Sequence, residues 1–341
     1  MAEVSVIIAV YNAQAHLEQC VRSVMAQTLR DIEIICVDDG STDGSGVILS
    51  RLAAQDSRIR VITQENAGAG AARNAGLACA SGRYLSFLDA DDFFEPQMLE
   101  TAARKAREEN ADMVVFGADF YDEQLSRFMP CIYSIREEMM PAHRPFSGTQ
   151  LGRDAFKAVV GWAWDKLFRA EFIRENGIVF QEQRTTNDML FVFCALVRAQ
   201  RISTVRDVLA HQRRRSGATL SVTREKSWMC FYDALIALRD QLTEWQIYDR
   251  FEQDYINYAL HFSLWNLNTL KGEAKKKLYQ RLKTEWFASL GVDGYPARGF
   301  YHRSEYAQYR LIKAMPYSAA AQHLLGAAQR GATWLKRRLH R

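Results

Sequence analysis

Apolar runs and helical patterns alternate along the first hundred positions. Val4-Ser5-Val6-Ile7-Ile8-Ala9-Val10 is too apolar for a strand with one wet face, and it predicts a strand buried on both sides, as in a parallel sheet. Tyr11-Asn12 follows. Leu17, Cys20, Val21 and Val24 then recur at helical spacing, with Asn12 as the expected N-cap. A second unit runs from the apolar stretch 32–37 into Asp38-Asp39-Gly40-Ser41-Thr42-Asp43 and a helix carrying Val47, Ile48 and Leu52. A short strand at 59–62 leads to a small-residue helix across Asn66, Gly68, Gly70 and Gly76, able to lie close to a sheet. The fourth strand holds Tyr84, Leu85, Phe87 and Leu88 and ends in Asp89-Ala90-Asp91-Asp92, with a helix expected at about 96–109. This alternation predicts an α/β fold: a doubly wound, mostly parallel central sheet flanked by helices.

Beyond a strand at 113–116 the pattern loosens through 119–146, where insertions are expected. Gly161-Trp162-Ala163-Trp164-Asp165-Lys166-Leu167-Phe168 precedes a helix that ends near Asn176-Gly177, a good C-cap pair. Thr185-Thr186-Asn187-Asp188 reads as a further helix start, and 202–205 and 208–210 as two closing strands. From Ser227 the chain turns helical and aromatic, with Trp228, Trp245, Tyr255, Tyr258, Trp265 and Trp286. The expected organisation is a catalytic domain over 1–220, split into halves at 117/118, and a mostly helical region over 221–341.

Acids follow the second and fourth strands, at the carboxyl edge where an open parallel sheet binds ligands. Asp89 and Asp91 are two residues apart, so in a persisting strand both side chains point the same way. A hard divalent cation, Mg²⁺ or Mn²⁺, would keep such a pair ionised, and a diphosphate is its natural third ligand. The competing reading makes Asp92 a helix cap and leaves the others solvated. No Gly-x-Gly-x-x-Gly follows the first strand and no phosphate-binding P-loop occurs, which argues against a dinucleotide-binding domain.

Composition narrows the class further. Of 341 residues 48% are hydrophobic and 25% charged, ordinary for a soluble globular chain. The six cysteines, Cys20, Cys36, Cys79, Cys131, Cys194 and Cys230, are scattered without a Cys-x-x-Cys pair, as in a reducing compartment. No basic segment precedes the first apolar run, and no run approaches a membrane span, so a cytoplasmic protein is expected. The net charge of +4 conceals an asymmetry: residues 271–341 hold 15 Lys and Arg against 4 Asp and Glu, whereas 1–270 hold 29 against 36.

Four motifs occur in order: Val4 to Asn12, Asp38 to Asp43, Asn66 with Gly68, Ala72-Arg73-Asn74 and Gly76, and Asp89-Ala90-Asp91-Asp92. Together they closely resemble family 2 glycosyltransferases, inverting enzymes of the glycosyltransferase A-type fold, and in particular members that build bacterial cell-surface polysaccharide. The resemblance covers about the first 95 residues. Where the family usually has Pro this chain has Ala9, a change that removes no reacting group.

The resemblance implies roles residue by residue. Tyr11 would lie against the nucleotide base, and Asp39 would accept its imide N–H, which favours uracil over cytosine. Ala9, Asn12 and Ala90 would line the same donor site, with Arg73 reaching the nucleotide and the carboxylates. Asp89 would contact ribose or metal-bound water, and Asp91 would ligate Mn²⁺ or Mg²⁺ on the diphosphate of a UDP-sugar. Asp188, in the position where many relatives have the acid of a Glu-Asp pair, would take the proton from the acceptor hydroxyl. At a helix start the dipole would lower its pKa. Trp164 and Lys166 would meet the acceptor, a glycan or lipid-linked glycan. His211, Arg213 and Arg215 would close over the diphosphate, the guanidinium forks of the two arginines suiting phosphate.

Ala321, Leu325, Ala328, Ala332, Leu335 and Leu339 form a stripe on a helix whose end carries Lys336, Arg337, Arg338 and Arg341. It is expected to lie on an anionic inner leaflet or to pack on protein, including a second copy of the chain. A nucleic-acid partner is not expected, since no binding module accompanies the basic end. Two other classes share the paired acids: a nucleotidyltransferase, which would release pyrophosphate, and a nucleotide-sugar-binding protein without a base.

Overall fold

In the computed structural model, which describes residues 2–214 and 220–339 and, of 220–223 and 330–339, the backbone alone, the chain divides into two units, Met1–Thr219 and Leu220–Arg341. The first is built on a sheet of β1 (Val4–Val10), β2 (Ile32–Asp38), β3 (Ile59–Thr63), β4 (Tyr84–Asp89), β5 (Phe93–Phe94), β6 (Met113–Asp122), β7 (Arg127–Pro130), β8 (Lys166–Arg169) and β9 (Ile202–Arg214). Among the described residues their order is β3-β2-β1-β4-β8-β6-β9-β5, with β7 paired to β6.

The expected parallel pairing holds from β3 to β4. Past β4 the sheet becomes mixed: β8 runs antiparallel to both β4 and β6, while β9 is parallel to β6. The cause is the connection, since 123–165 holds the hairpin strand β7 and short 3₁₀ turns but no crossover helix, and without one a strand returns antiparallel. The two closing strands expected at 202–205 and 208–210 are one strand, β9, broken in register opposite Phe116–Ala118.

Helices cover both faces of the parallel half, which is why β1 reads as a continuous apolar run. On one face α1 (Leu17–Met25) buries Leu17, Cys20, Val21 and Val24 against Val4, Val6, Ile8 and Val10. It begins at Leu17 and not beside Asn12. Asn12 has φ 48° and belongs to the loop: its N–H donates to Ser41 Oγ at 3.1 Å, and its Oδ1 accepts from the Thr42 N–H at 2.8 Å. After α2 (Ser45–Ala53) comes α3 (Ala69–Cys79), which lies tight on the other face. A Cβ at Gly76 would stand 2.4 Å from Ile7 Cγ2, so only glycine lets the helix approach this far.

The same face carries an aromatic cluster in which the Phe87 ring meets Phe180 at 4.8 Å and Phe191 at 5.1 Å. After α4 (Met98–Glu108) and α5 (Ala170–Glu175), Phe191 comes from α6 (Asn187–Arg198). The cluster therefore anchors the first turn of α6 beside the end of β4.

The second unit is helical: α7 (Cys230–Glu244), α8 (Tyr248–Thr269), α9 (Gly272–Arg281), a π-turn running into the short α10 (Phe287–Ser289), α11 (Arg303–Ala314) and α12 (Ala319–Leu339). Trp286 is sandwiched by Trp228 at 5.4 Å and Tyr232 at 4.1 Å. Of the stripe on the last helix, Ala321 and Leu325 are buried within the unit. Among the described residues no helix is long and apolar enough to cross a membrane.

Candidate active site

Parallel registry sets the rim of the sheet. Val10 lies level with Asp38 and Ala9 with Asp89, so the chain leaves β1, β2 and β4 side by side. Ala9 stays paired on both sides; a proline there would lack the N–H. Tyr11, just past β1, is 52% exposed and presents an open ring.

Asp39 is 2% exposed and already employed. Its Oδ1 accepts from Gln64 Nε2 at 2.8 Å and the Ala67 N–H at 2.9 Å, and its Oδ2 from the Gly68 N–H at 2.8 Å. It thereby holds the entry into α3, where Gly68 sits at φ 93°. A carboxylate has about four lone-pair sites, so one remains for a further donor. No local pattern predicts Gln64 in this role.

Arg73, on α3, joins the two halves of the rim. Its Nη2 donates to Asp89 Oδ1 at 2.5 Å, and its Nη1 to Asp188 Oδ1 at 2.6 Å and Asn187 Oδ1 at 2.7 Å. The guanidinium lies 5.4 Å from the centroid of Phe180 and is buried. Close approach of α3 to the segment before α6 permits this: a Cβ at Gly70 would stand 2.2 Å from the Gln181 carbonyl oxygen. Asp188 also accepts the Ala163 N–H. Burial raises its pKa, and the Asp89 charge adds to this, against the opposite pull of Arg73 and Lys166. The helix dipole was expected to lower it. Desolvation wins, and a raised carboxylate is a stronger base.

The strand does not persist to Asp91. The chain turns at Ala90-Asp91, with the Asp92 N–H donating to the Asp89 carbonyl at 3.2 Å, so strand alternation does not place Asp89 and Asp91 on one side. The acids are still crowded. Burial, then the charges of Asp91 and Asp89, push Asp92 well above the carboxylate range, and its Oδ2 is buried without a hydrogen-bond partner. Asp92 caps no helix: its Oδ1 accepts the Arg213 N–H at 2.8 Å.

Arg213 is spent on this turn. Nε donates to the Asp91 carbonyl at 3.0 Å, Nη2 to Gln19 Oε1 at 2.7 Å and Nη1 to Glu123 Oε1 at 3.2 Å, and the side chain is 5% exposed. His211 faces Asp119 at 2.6 Å through Nδ1 and Glu95 at 2.9 Å through Nε2, between the rings of Phe93 and Phe128. Arg213 holds the turn and His211 is engaged by these acids, where a diphosphate contact is expected of both. Arg215 lies outside the described residues.

Two acceptor contacts are corrected. Trp164 is 1% exposed, its face covered by Trp162 at 5.0 Å, and belongs to the core. Lys166 is wholly buried: Nζ donates to Asp165, to the Val160 carbonyl at 3.0 Å and to the Trp162 carbonyl at 2.7 Å. All three of its protons are used. Lys166 fixes the backbone that brings Ala163 to Asp188.

The parallel β3-β2-β1-β4 half, the mixed extension and the acids and arginine at the carboxyl rim define a glycosyltransferase A-type fold. Residues 5–176 match the family model "Glycosyl transferase family 2". The Bacillus subtilis (strain 168) protein described as "Putative glycosyltransferase EpsH" is 31% identical over 288 residues, 82% of this chain and 81% of that one. Glycosyltransferase GlyG of Streptococcus pneumoniae serotype 4 is 33% identical over 238 residues, 66% of this chain and 75% of that one. The chain belongs to glycosyl transferase family 2 and is a glycosyltransferase. Among solved structures, S. aureus TarS 1-349 superposes with a TM-score of 0.68 at 22% identity, covering 92% of this chain and 90% of that one. Its complex with UDP gives a TM-score of 0.67 at 20% identity over 92% and 90% of the two chains. Both show a shared fold.

Proposed function

We propose that the enzyme moves a sugar, with inversion, from a UDP-sugar to a hydroxyl of a glycan or lipid-linked glycan in cell-surface polysaccharide synthesis. The observation that carries this is Arg73 joining Asp89 to Asp188, because it places a raised carboxylate next to the rim where a diphosphate would sit. The exposed ring of Tyr11 and the remaining lone pair of Asp39 suit a uracil. S. aureus TarS, which shares the fold, is described in complex with UDP and with UDP-GlcNAc.

The chemistry then divides between the two sides of Arg73. Asp188, ionised and oriented by Arg73 and the Ala163 N–H, takes the proton as the acceptor hydroxyl attacks the anomeric carbon. Asp89 accepts from the other arm of the guanidinium. Among the described residues no three His, Cys, Asp or Glu side chains form a ready metal cage. The acids fit a cation that takes its other ligands from a diphosphate and water: Asp91 and Asp89 would hold Mg²⁺ or Mn²⁺, next to the buried Asp92 oxygen that lacks a hydrogen-bond donor. A bound cation neutralises charge on the departing diphosphate.

Titration calorimetry with UDP, with and without Mg²⁺ or Mn²⁺, tests the reading. UDP affinity should require the cation and fall in Asp91→Asn; equal affinity without metal removes it. Asp188→Asn should bind UDP yet transfer nothing. Contact with an anionic leaflet belongs to the same reading, by way of the basic end of α12. Vesicle flotation of the full chain, with and without anionic lipid, checks it, and equal recovery from both removes it.

A further inference from the structure

Trp162 has no part in the scheme above, yet its position relative to the base is fixed on every side. The next residue, Ala163, donates its N–H to Asp188. The preceding one, Gly161, lies on the first turn of α6, where a Cβ would stand 3.4 Å from Met189 Cα. Beneath, the Trp162 carbonyl is held by Lys166 Nζ at 2.7 Å. The indole is then set by packing: one face lies on Trp164 with centroids 5.0 Å apart and planes 18° from parallel, and Phe120 meets it edge-on at 6.1 Å. Trp164 is sealed in the core, whereas Trp162 is only half-buried. The pair is a two-deep aromatic slab whose outer member is only half-buried, one peptide from the residue that touches the base.

We propose that Trp162 is the platform on which the acceptor sugar stacks. A pyranose has an apolar face of C–H groups and a rim of hydroxyls, so it matches a flat indole on one side and hydrogen-bonding groups at the edge. A ring laid on Trp162 directs a rim hydroxyl to Asp188. The donor is excluded from this place by the chemistry: its diphosphate occupies the Asp89–Asp91 side of Arg73, and the group beside the base is the one that loses a proton. The slab is already packed without the sugar, which lowers the cost of ordering the site. This assignment rests on the sugar-transfer reading and names the class of acceptor terminus it takes, a pyranose with one unhindered face.

Saturation-transfer NMR with methyl β-glycosides of glucose, galactose and N-acetylglucosamine, in the presence of UDP and Mg²⁺, tests the platform, with UDP affinity measured by calorimetry on the same samples. In the wild type the C–H protons of one ring face should receive the saturation. Trp162→Ala should weaken glycoside binding about tenfold, Trp162→Phe clearly less, and both should bind UDP as the wild type does. A signal unchanged in Trp162→Ala, the absence of any one-sided signal in the wild type, or loss of UDP affinity in both variants overturns the platform. A wild type that binds no UDP at all instead overturns the donor reading on which it rests.

Discussion

Arg73 Nη1 and Asp188 Oδ1 lie 2.6 Å apart across 115 residues of sequence. The same guanidinium reaches Asp89, so one buried cation separates two carboxylates that would otherwise face each other. The arrangement is costly to break, because removing the cation leaves like charges in a desolvated place. It also sets the geometry of the base.

Arg73→Met should therefore lose about 3 kcal/mol of stability in urea denaturation, the usual scale for deleting one partner of a buried pair. Arg73→Lys keeps a charge but cannot bridge with a fork. It should recover part of the stability and little of the transfer rate. Equal rates for Arg73→Lys and the wild type would mean the bridge does not orient Asp188.

Asp188 predicts the pH dependence. Its pKa is raised by burial, and the base must be ionised, so kcat/KM should climb with pH and level off above that pKa. The midpoint should lie above the value of about 4 for an exposed aspartate. Arg73 pulls the pKa down, so Arg73→Met should carry the midpoint further up. A limb near the exposed value would show that Asp188 is not the titrating base.

Two glycines separate stability from site geometry. At Gly70 a Cβ meets the Gln181 carbonyl oxygen at 2.2 Å and Asn187 Cβ at 3.3 Å, and a backbone atom cannot move without taking the start of α6 with it. Gly70→Ala should cost about 1–3 kcal/mol and also lower kcat/KM of the folded fraction, because Asp188 shifts against Arg73. Gly76→Ala meets Ile7 Cγ2 at 2.4 Å, away from Asp188, and should cost stability with a smaller loss of rate. Thermal denaturation and initial rates on the same samples distinguish the two.

The legible parts of the molecule are those written in short-range pattern. Two-sided burial makes β1 a continuous apolar run, and the acids after β2 and β4 mark the rim because a parallel sheet ends there. Asn12 misled because its partners, Ser41 and Thr42, lie on the next loop and outcompete a capping role. Trp164 and Lys166 misled for a different reason: a tryptophan and a lysine beside Leu167 and Phe168 read alike whether they face solvent or core. Only the packing of Trp162 and the carbonyls of residues 160 and 162 decide it. The bridge from Arg73 to Asp188 leaves no mark in the local pattern of either segment, and the sign of the Asp188 shift depends on burial that the chain acquires only when α3, β4 and α6 meet.

The Lys166–Asp165 pair gives the last prediction. Both side chains are wholly buried, with Ser134 Oγ donating to the second oxygen of Asp165 at 2.9 Å. Burial pushes the Asp165 pKa up and the Lys166 pKa down, the cost of holding charges out of water. Lys166→Met leaves Asp165 alone in the core and should lose about 3–5 kcal/mol. Combining it with Asp165→Leu removes both charges and should lose less than the sum of the single changes, which a double-mutant cycle reads directly. Stability regained in this way should not restore transfer, because the carbonyls of residues 160 and 162 have lost their donor and the Ala163 N–H no longer holds Asp188 in place. Full activity in the double variant would separate the pair from the base and leave it a role in folding alone.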